Sequence, residues 1–243
     1  MPSFVAAFPN LQALILHTEE GSNFEPFLRA LSVTSPHIQL KEFMHHAWLL
    51  PDAALWDFLH AMPSIEVLHN VDIFATRMPV PIPTFLPALR ELRCRFTATA
   101  EYLASGRPIE TLQVAGLPTN GIDAMASSLS ECPGPLSNVS LSVAGYPSIY
   151  TMRLLGNALQ RTRSLTLLGT ITGRGSPFPE PLANLEAYSC LTPWQDLSDR
   201  TYVTHLAARL GPRVRSIHLR GDPGEALWIR ENGGPFELVE GGD

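Results

Sequence analysis

The chain has 243 residues, 45% of them hydrophobic and 16% charged, with a formal net charge of −6. That balance supports a packed core under a comparatively neutral surface, and it excludes a general nucleic-acid binder, which needs a basic face to compete for phosphates. No stretch approaches the roughly 18 apolar residues of a membrane span, and Met1 to Phe8 lack the basic start and apolar run of a secretory signal, so an intracellular protein, cytoplasmic or nuclear, without membrane association is expected.

From the N-terminus, the first strand is expected at Ala13 to Leu16. No polar capping segment precedes it, so either a preceding domain or Met1 to Phe8 is expected to cover that end of the core. Phe24, Phe27, Leu28 and Leu31 recur at i, i+3, i+4 and i+7, the stripe of a short amphipathic helix. A second strand, Gln39 to Met44, leads to a helix opened by Pro51-Asp52, where Asp52 is placed to cap free N–H groups. After a third strand, Glu66 to His69, the alternate prolines from Thr76 to Pro83 forbid a helix and predict an extended loop.

The strand around Leu92 and Cys94 is followed by a helix near Thr99 to Ala104, and the strand around Leu112 and Val114 by one from Ile122 to Ser130. Asn138 to Val143 reads as a strand, with a helix from about Ser148 to Gln160 behind it. Ser164 to Leu168 runs into a Gly/Pro-rich loop, Gly169 to Pro181, without a helix. Leu185 to Cys190 precedes a helix from Tyr202 to Leu210 that starts after Asp199 and stops at Gly211-Pro212, and Val214 to Leu219 is the next strand. Two β-prone runs, Ala226 to Arg230 and Pro235 to Val239, flank Glu231-Asn232-Gly233-Gly234 and read as a hairpin. Gly241-Gly242-Asp243 is expected to fray.

One frame recurs through these strands. In Leu86-Pro87-Ala88-Leu89-Arg90-Glu91-Leu92-Arg93-Cys94, the anchors Leu89, Leu92 and Cys94 share a core only if the chain bends and then runs extended. First anchors fall at Leu11, Leu40, Ile65, Leu89, Ile109, Leu136, Thr162, Leu185 and Val214, in steps of 20 to 29 residues. Those steps lie within the leucine-rich-repeat range. The expected fold is therefore an α/β leucine-rich-repeat solenoid, with parallel strands on the concave face and short helices and loops on the convex face. An irregular array of about nine repeats is expected over 1–221, and a C-terminal hairpin cap and tail over 222–243.

Enzymatic motifs are absent. No G-x-S-x-G elbow occurs, and Gly169 to Ser176 lacks the Lys and the following helix of a phosphate loop. His45 and His46 point to opposite faces of a strand and cannot chelate one ion, so no metal, cofactor or catalytic residue is assigned. Cys94 and Cys190 sit at third anchors, where a small buried thiol fits, and with Cys132 they form no C-x-x-C pair. The Asn138-Val139-Ser140 sequon lies on an expected strand and, with no secretory signal expected, is read as accidental.

The side chains between the anchors face outward on the sheet. Ala13, Ile15, His17, Glu42, Met44, His46, Val67 and His69 make an apolar, His-containing beginning. Glu91, Arg93 and Arg95 make a charged step. An uncharged strip of Thr111, Gln113, Asn138, Ser140, Ser142, Ser164, Thr166 and Ser189 follows. An outward apolar patch beside arginines is the composition of a binding surface, so His17, Met44, His46, His69, Glu91, Arg93 and Arg95 are the expected partner-binding residues. The alternative is an enzyme or small-molecule binder using the polar strip.

The repeat units Phe8-Pro9-Asn10-Leu11-Gln12-Ala13-Leu14 and Leu86-Pro87-Ala88-Leu89-Arg90-Glu91-Leu92, with the closing Trp228-Ile229-Arg230, resemble the repeat region of fungal-type F-box/leucine-rich-repeat proteins. The resemblance implies a non-enzymatic module that recognises a protein substrate of a ubiquitin ligase on its concave face. The chain contains no F-box segment, so a Skp-type adaptor is an expected partner only if an F-box precedes this chain.

Overall fold

A computed structural model describes residues 10–17, 24–34, 38–45, 52–71, 85–145, 147–169, 177–192, 196–222 and 224–241. His46, the expected cover from Met1 to Phe8, the loop from Thr76 to Pro83 and the tail residues Gly242 and Asp243 lie outside the described residues.

The fold is mixed α/β, with one eleven-stranded sheet that takes its strands in chain order and is not closed into a barrel. The strands are β1 (Ala13–Leu16), β2 (Glu42–His45), β3 (Val67–His69), β4 (Glu91–Phe96), β5 (Thr111–Pro118), β6 (Asn138–Ala144), β7 (Ser164–Gly169), β8 (Ala187–Leu191), β9 (Ser216–Arg220), β10 (Glu225–Ile229) and β11 (Glu237–Gly241). Pairing is parallel from β1 to β9 and antiparallel at β9–β10 and β10–β11. Among the described residues the helices are α1 (Glu25–Thr34), α2 (Asp52–Ala61), α3 (Thr97–Ala104), α4 (Ile122–Ser130), α5 (Ile149–Ala158) and α6 (Arg200–Leu210).

A turn precedes several strands and explains why some begin later than the sequence pattern suggests. The first anchor donates its N–H to the carbonyl three residues back, as in Ile65 to Met62 (3.3 Å), Leu89 to Leu86 (3.2 Å), Leu185 to Leu182 (3.2 Å) and Val214 to Gly211 (3.4 Å). In these units the first anchor therefore belongs to the turn, and the strands expected from Leu185 and Val214 start at Ala187 and Ser216; the strand expected from Gln39 starts at Glu42. Thr162 keeps this geometry (2.9 Å to Leu159 O) and is fully buried, although its side chain is polar.

Helix limits follow their caps. Ser148 accepts from the Thr151 N–H at 3.1 Å, and Asp199 from Thr201 and Tyr202 at 2.8 and 3.1 Å. α6 stops at Gly211, whose φ of +151° and a would-be Cβ 2.5 Å from Leu182 O leave no room for a side chain. α3 begins at Thr97, two residues before the expected Thr99, because Thr97 Oγ1 donates to Gly116 O at 3.0 Å and ties the helix start to β5. Asp52, expected as a cap, is instead the first helical residue. Asn232 and Gly233 both take positive φ (49° and 75°), and Gly234 N–H reaches Glu231 O at 2.8 Å, the primed turn that Asn-Gly favours between β10 and β11. Gly241, expected to fray, ends β11.

Alternation sends Leu92, Leu112, Leu141, Leu167 and Leu219 into one continuous buried cluster with helical residues such as Leu103, Leu129, Leu155 and Leu206. Leu14, expected in that core, is only partly buried, because among the described residues β1 is an edge strand paired with β2 alone. Arg107 is buried to 1% exposure at the end of α3. Its Nε donates to Phe85 O and its Nη1 to Tyr102 O and Ser105 O, each at 2.8 Å, and its guanidinium lies 5.7 Å from the Phe85 and Tyr102 ring centres. The guanidinium thus satisfies carbonyls that the helix end leaves without partners.

Candidate functional site

Parallel register turns the chain-order list of outward residues into rows. Ile15 pairs with Met44, Met44 with His69, His69 with Arg93, and Arg93 with Gln113. At about 4.8 Å per strand, Ile15 and Arg93 stand about 14 Å apart in one row. Ser140, Thr166, Ser189 and His218 continue it across the uncharged part of the face. A neighbouring row holds Ala13, Glu42, Val67, Glu91, Thr111 and Asn138.

Of the expected site residues, His17, Arg93 and Arg95 are exposed, Met44 and Glu91 are half-buried, and Ile15 beside them is 49% exposed. His69 departs from expectation. It lies on the outward face, yet it is buried at 8% exposure. Its Nε2–H donates to Glu91 Oε1 at 2.8 Å, which draws the ring down between its neighbours. The same carboxylate oxygen accepts from Arg93 Nε at 3.0 Å and lies 2.8 Å from Arg93 Nη2. Glu91 therefore fixes an imidazole and a guanidinium at once, and Arg93 is presented in a set orientation rather than as a free side chain.

A second group of the same composition lies on β9 and β10. Glu225 Oε2 is 3.1 Å from His218 Nε2 and 4.0 Å from Arg220 Nε. Glu225 arrives from the antiparallel strand that follows, outside the repeating frame, so the frame does not place it beside His218 and Arg220. The signal available was His218-Leu219-Arg220 followed by an acid just beyond a tight connection.

The thiols take no part in this face. Cys94, Cys132 and Cys190 are free and buried, and burial pushes the Cys190 thiol up to about 11. A thiolate nucleophile is correspondingly disfavoured there. Among the described residues no helix is long and apolar enough to cross a membrane. Comparison with protein-family models and with curated proteins finds no match for the chain.

Proposed function

We propose that the chain is a non-enzymatic protein-interaction module, a leucine-rich-repeat solenoid whose sheet forms the concave face, resembling the substrate-recognition region of an F-box ubiquitin-ligase adaptor. The observation that carries this reading is the row Ile15, Met44, His69 and Arg93, in which exposed Ile15 and half-buried Met44 share one face with a guanidinium held by Glu91. Aromatic, Met and Arg side chains are enriched where protein partners bind, and a pre-oriented arginine loses less freedom on docking. Three buried, free cysteines suit work inside the cell.

The test compares the partners captured by wild type, by the Arg93→Glu/Arg95→Glu double variant and by Arg153→Glu on the helical side. Circular dichroism confirms that each is folded. Partners identified with wild type should be lost by the double variant and kept by Arg153→Glu. Partners kept by the double variant and lost by the control would place the binding surface elsewhere, and an unchanged set in both would leave Arg93 as a sheet-internal partner of Glu91.

A further inference from the structure

The starts of the strands carry a second charged feature, independent of the outward face. Backbone hydrogen bonds align Glu66 N–H with Lys41 O (2.8 Å), Arg90 with Glu66 (2.8 Å), Glu110 with Arg90 (2.7 Å), Arg163 with Ser137 (3.0 Å), Glu186 with Arg163 (2.7 Å), Arg215 with Glu186 (2.7 Å) and Arg230 with Arg215 (2.7 Å). These residues form one row across the sheet, about 4.8 Å apart. Their charges alternate: Lys41, Glu66, Arg90 and Glu110, then after Ser137, Arg163, Glu186 and Arg215. Where pairs close, they close well, with Lys41 Nζ 2.5 Å from Glu66 Oε1 and Arg90 Nη1 2.8 Å from Glu110 Oε1.

The alternation fails at the end of the row, where Arg230 follows Arg215 directly. There a groove of about 780 Å³ is lined by Arg213, Arg215 and Arg230, with Glu186 and Glu231. Two of its guanidiniums are tethered. Arg213 donates to Asn184 Oδ1 at 3.0 Å, while Arg230 donates to Pro212 O and Val214 O at 3.1 and 2.6 Å and lies over the Phe236 ring at 5.1 Å. Among the described residues, no hydrogen bond or ion pair engages the exposed Arg215 guanidinium.

We propose that this groove binds an extended acidic segment of a partner protein. A carboxylate of that segment seats against the Arg215 guanidinium as Glu66 seats against Lys41 and Glu110 against Arg90. The three guanidiniums of the groove exceed its two carboxylates by one positive charge, which one carboxylate side chain neutralises. Planar guanidiniums also match a carboxylate with two parallel hydrogen bonds.

The experiment titrates the protein into rhodamine-labelled hexaglutamate and hexaglutamine peptides, followed by fluorescence anisotropy at low and physiological salt. Hexaglutamate should bind, more weakly as salt rises, and Arg215→Glu should weaken it by about tenfold. Arg215→Gln, which keeps the length and removes the charge, should give a smaller loss in the same direction. Arg153→Glu, an equal change of net charge on α5, should leave binding unchanged. Equal losses in Arg215→Glu and Arg153→Glu, or hexaglutamine binding as tightly, would overturn the proposal. So would inorganic phosphate binding calorimetrically where hexaglutamate does not.

Discussion

His69 reaches diagonally across the sheet to Glu91: its Nε2 lies 2.8 Å from Glu91 Oε1, although its register partner is Arg93. The contact crosses between two rows and shares its carboxylate oxygen with Arg93. Replacing Glu91 by Gln keeps the shape and removes the charge that both neighbours use. Glu91→Gln is expected to cost about 1 kcal/mol in urea unfolding. A double-mutant cycle with His69→Gln should give a coupling of about 0.5 kcal/mol or more, and a coupling near zero would mean that the contact adds nothing to stability.

Leu92 is fully buried in the centre of the sheet, whereas Leu14 on the edge strand is only partly covered. Leu92→Ala should cost about 2 to 5 kcal/mol, and Leu14→Ala clearly less, because less area leaves water and an open site leaves no cavity. Equal losses at the two positions would contradict the edge placement of β1.

Arg107 donates to three carbonyls from within the core. Removing it strands buried acceptors at a helix end, so Arg107→Met is expected to destabilise by about 3 kcal/mol. Arg107→Lys should recover little, since an ammonium cannot reproduce the planar fork that spans Phe85, Tyr102 and Ser105. Thermal unfolding of the two variants beside wild type measures both, and full recovery by Lys would show that charge alone matters.

The Glu66 carboxyl is held below its ordinary value, first by the hydrogen bond from Lys41, then by the charge of Lys41 and, more weakly, of Arg90. A depressed folded-state value means that this contribution is present above the usual carboxylate range and is lost as pH falls through the lowered value. Lys41→Ala should therefore bring unfolding midpoints closer to wild type in acid than at neutral pH. A constant difference between the two proteins across that range would show that Lys41 acts only through packing.

The mostly parallel α/β sheet was legible because its strands repeat an apolar side chain at the same offset, so Leu92, Leu112 and Leu141 repeat what one packing problem demands. Even Thr162 betrayed its place by spacing alone. The burial of His69 was not legible, since alternation tells which face a side chain takes but not whether its neighbours fold over it. Arg107 was also hidden: a buried arginine reads in sequence like any surface one, and only the meeting of Phe85, Tyr102 and the end of α3 gives it a role. Arg93 and Arg95 were placed correctly on the outward face, while the clamp on Arg93 depended on a side-chain conformation that no pattern encodes.

Because β1 to β11 join the sheet in the order in which they are made, assembly needs nothing that synthesis has not yet delivered. Each new strand emerging from the ribosome meets an edge already formed. The segment to be closed is always about one unit long, so its entropy cost hardly grows as the sheet widens. A nascent chain halted after Pro133 already holds the strand partners of β1 through β4, none of which lies at the far end of the sheet.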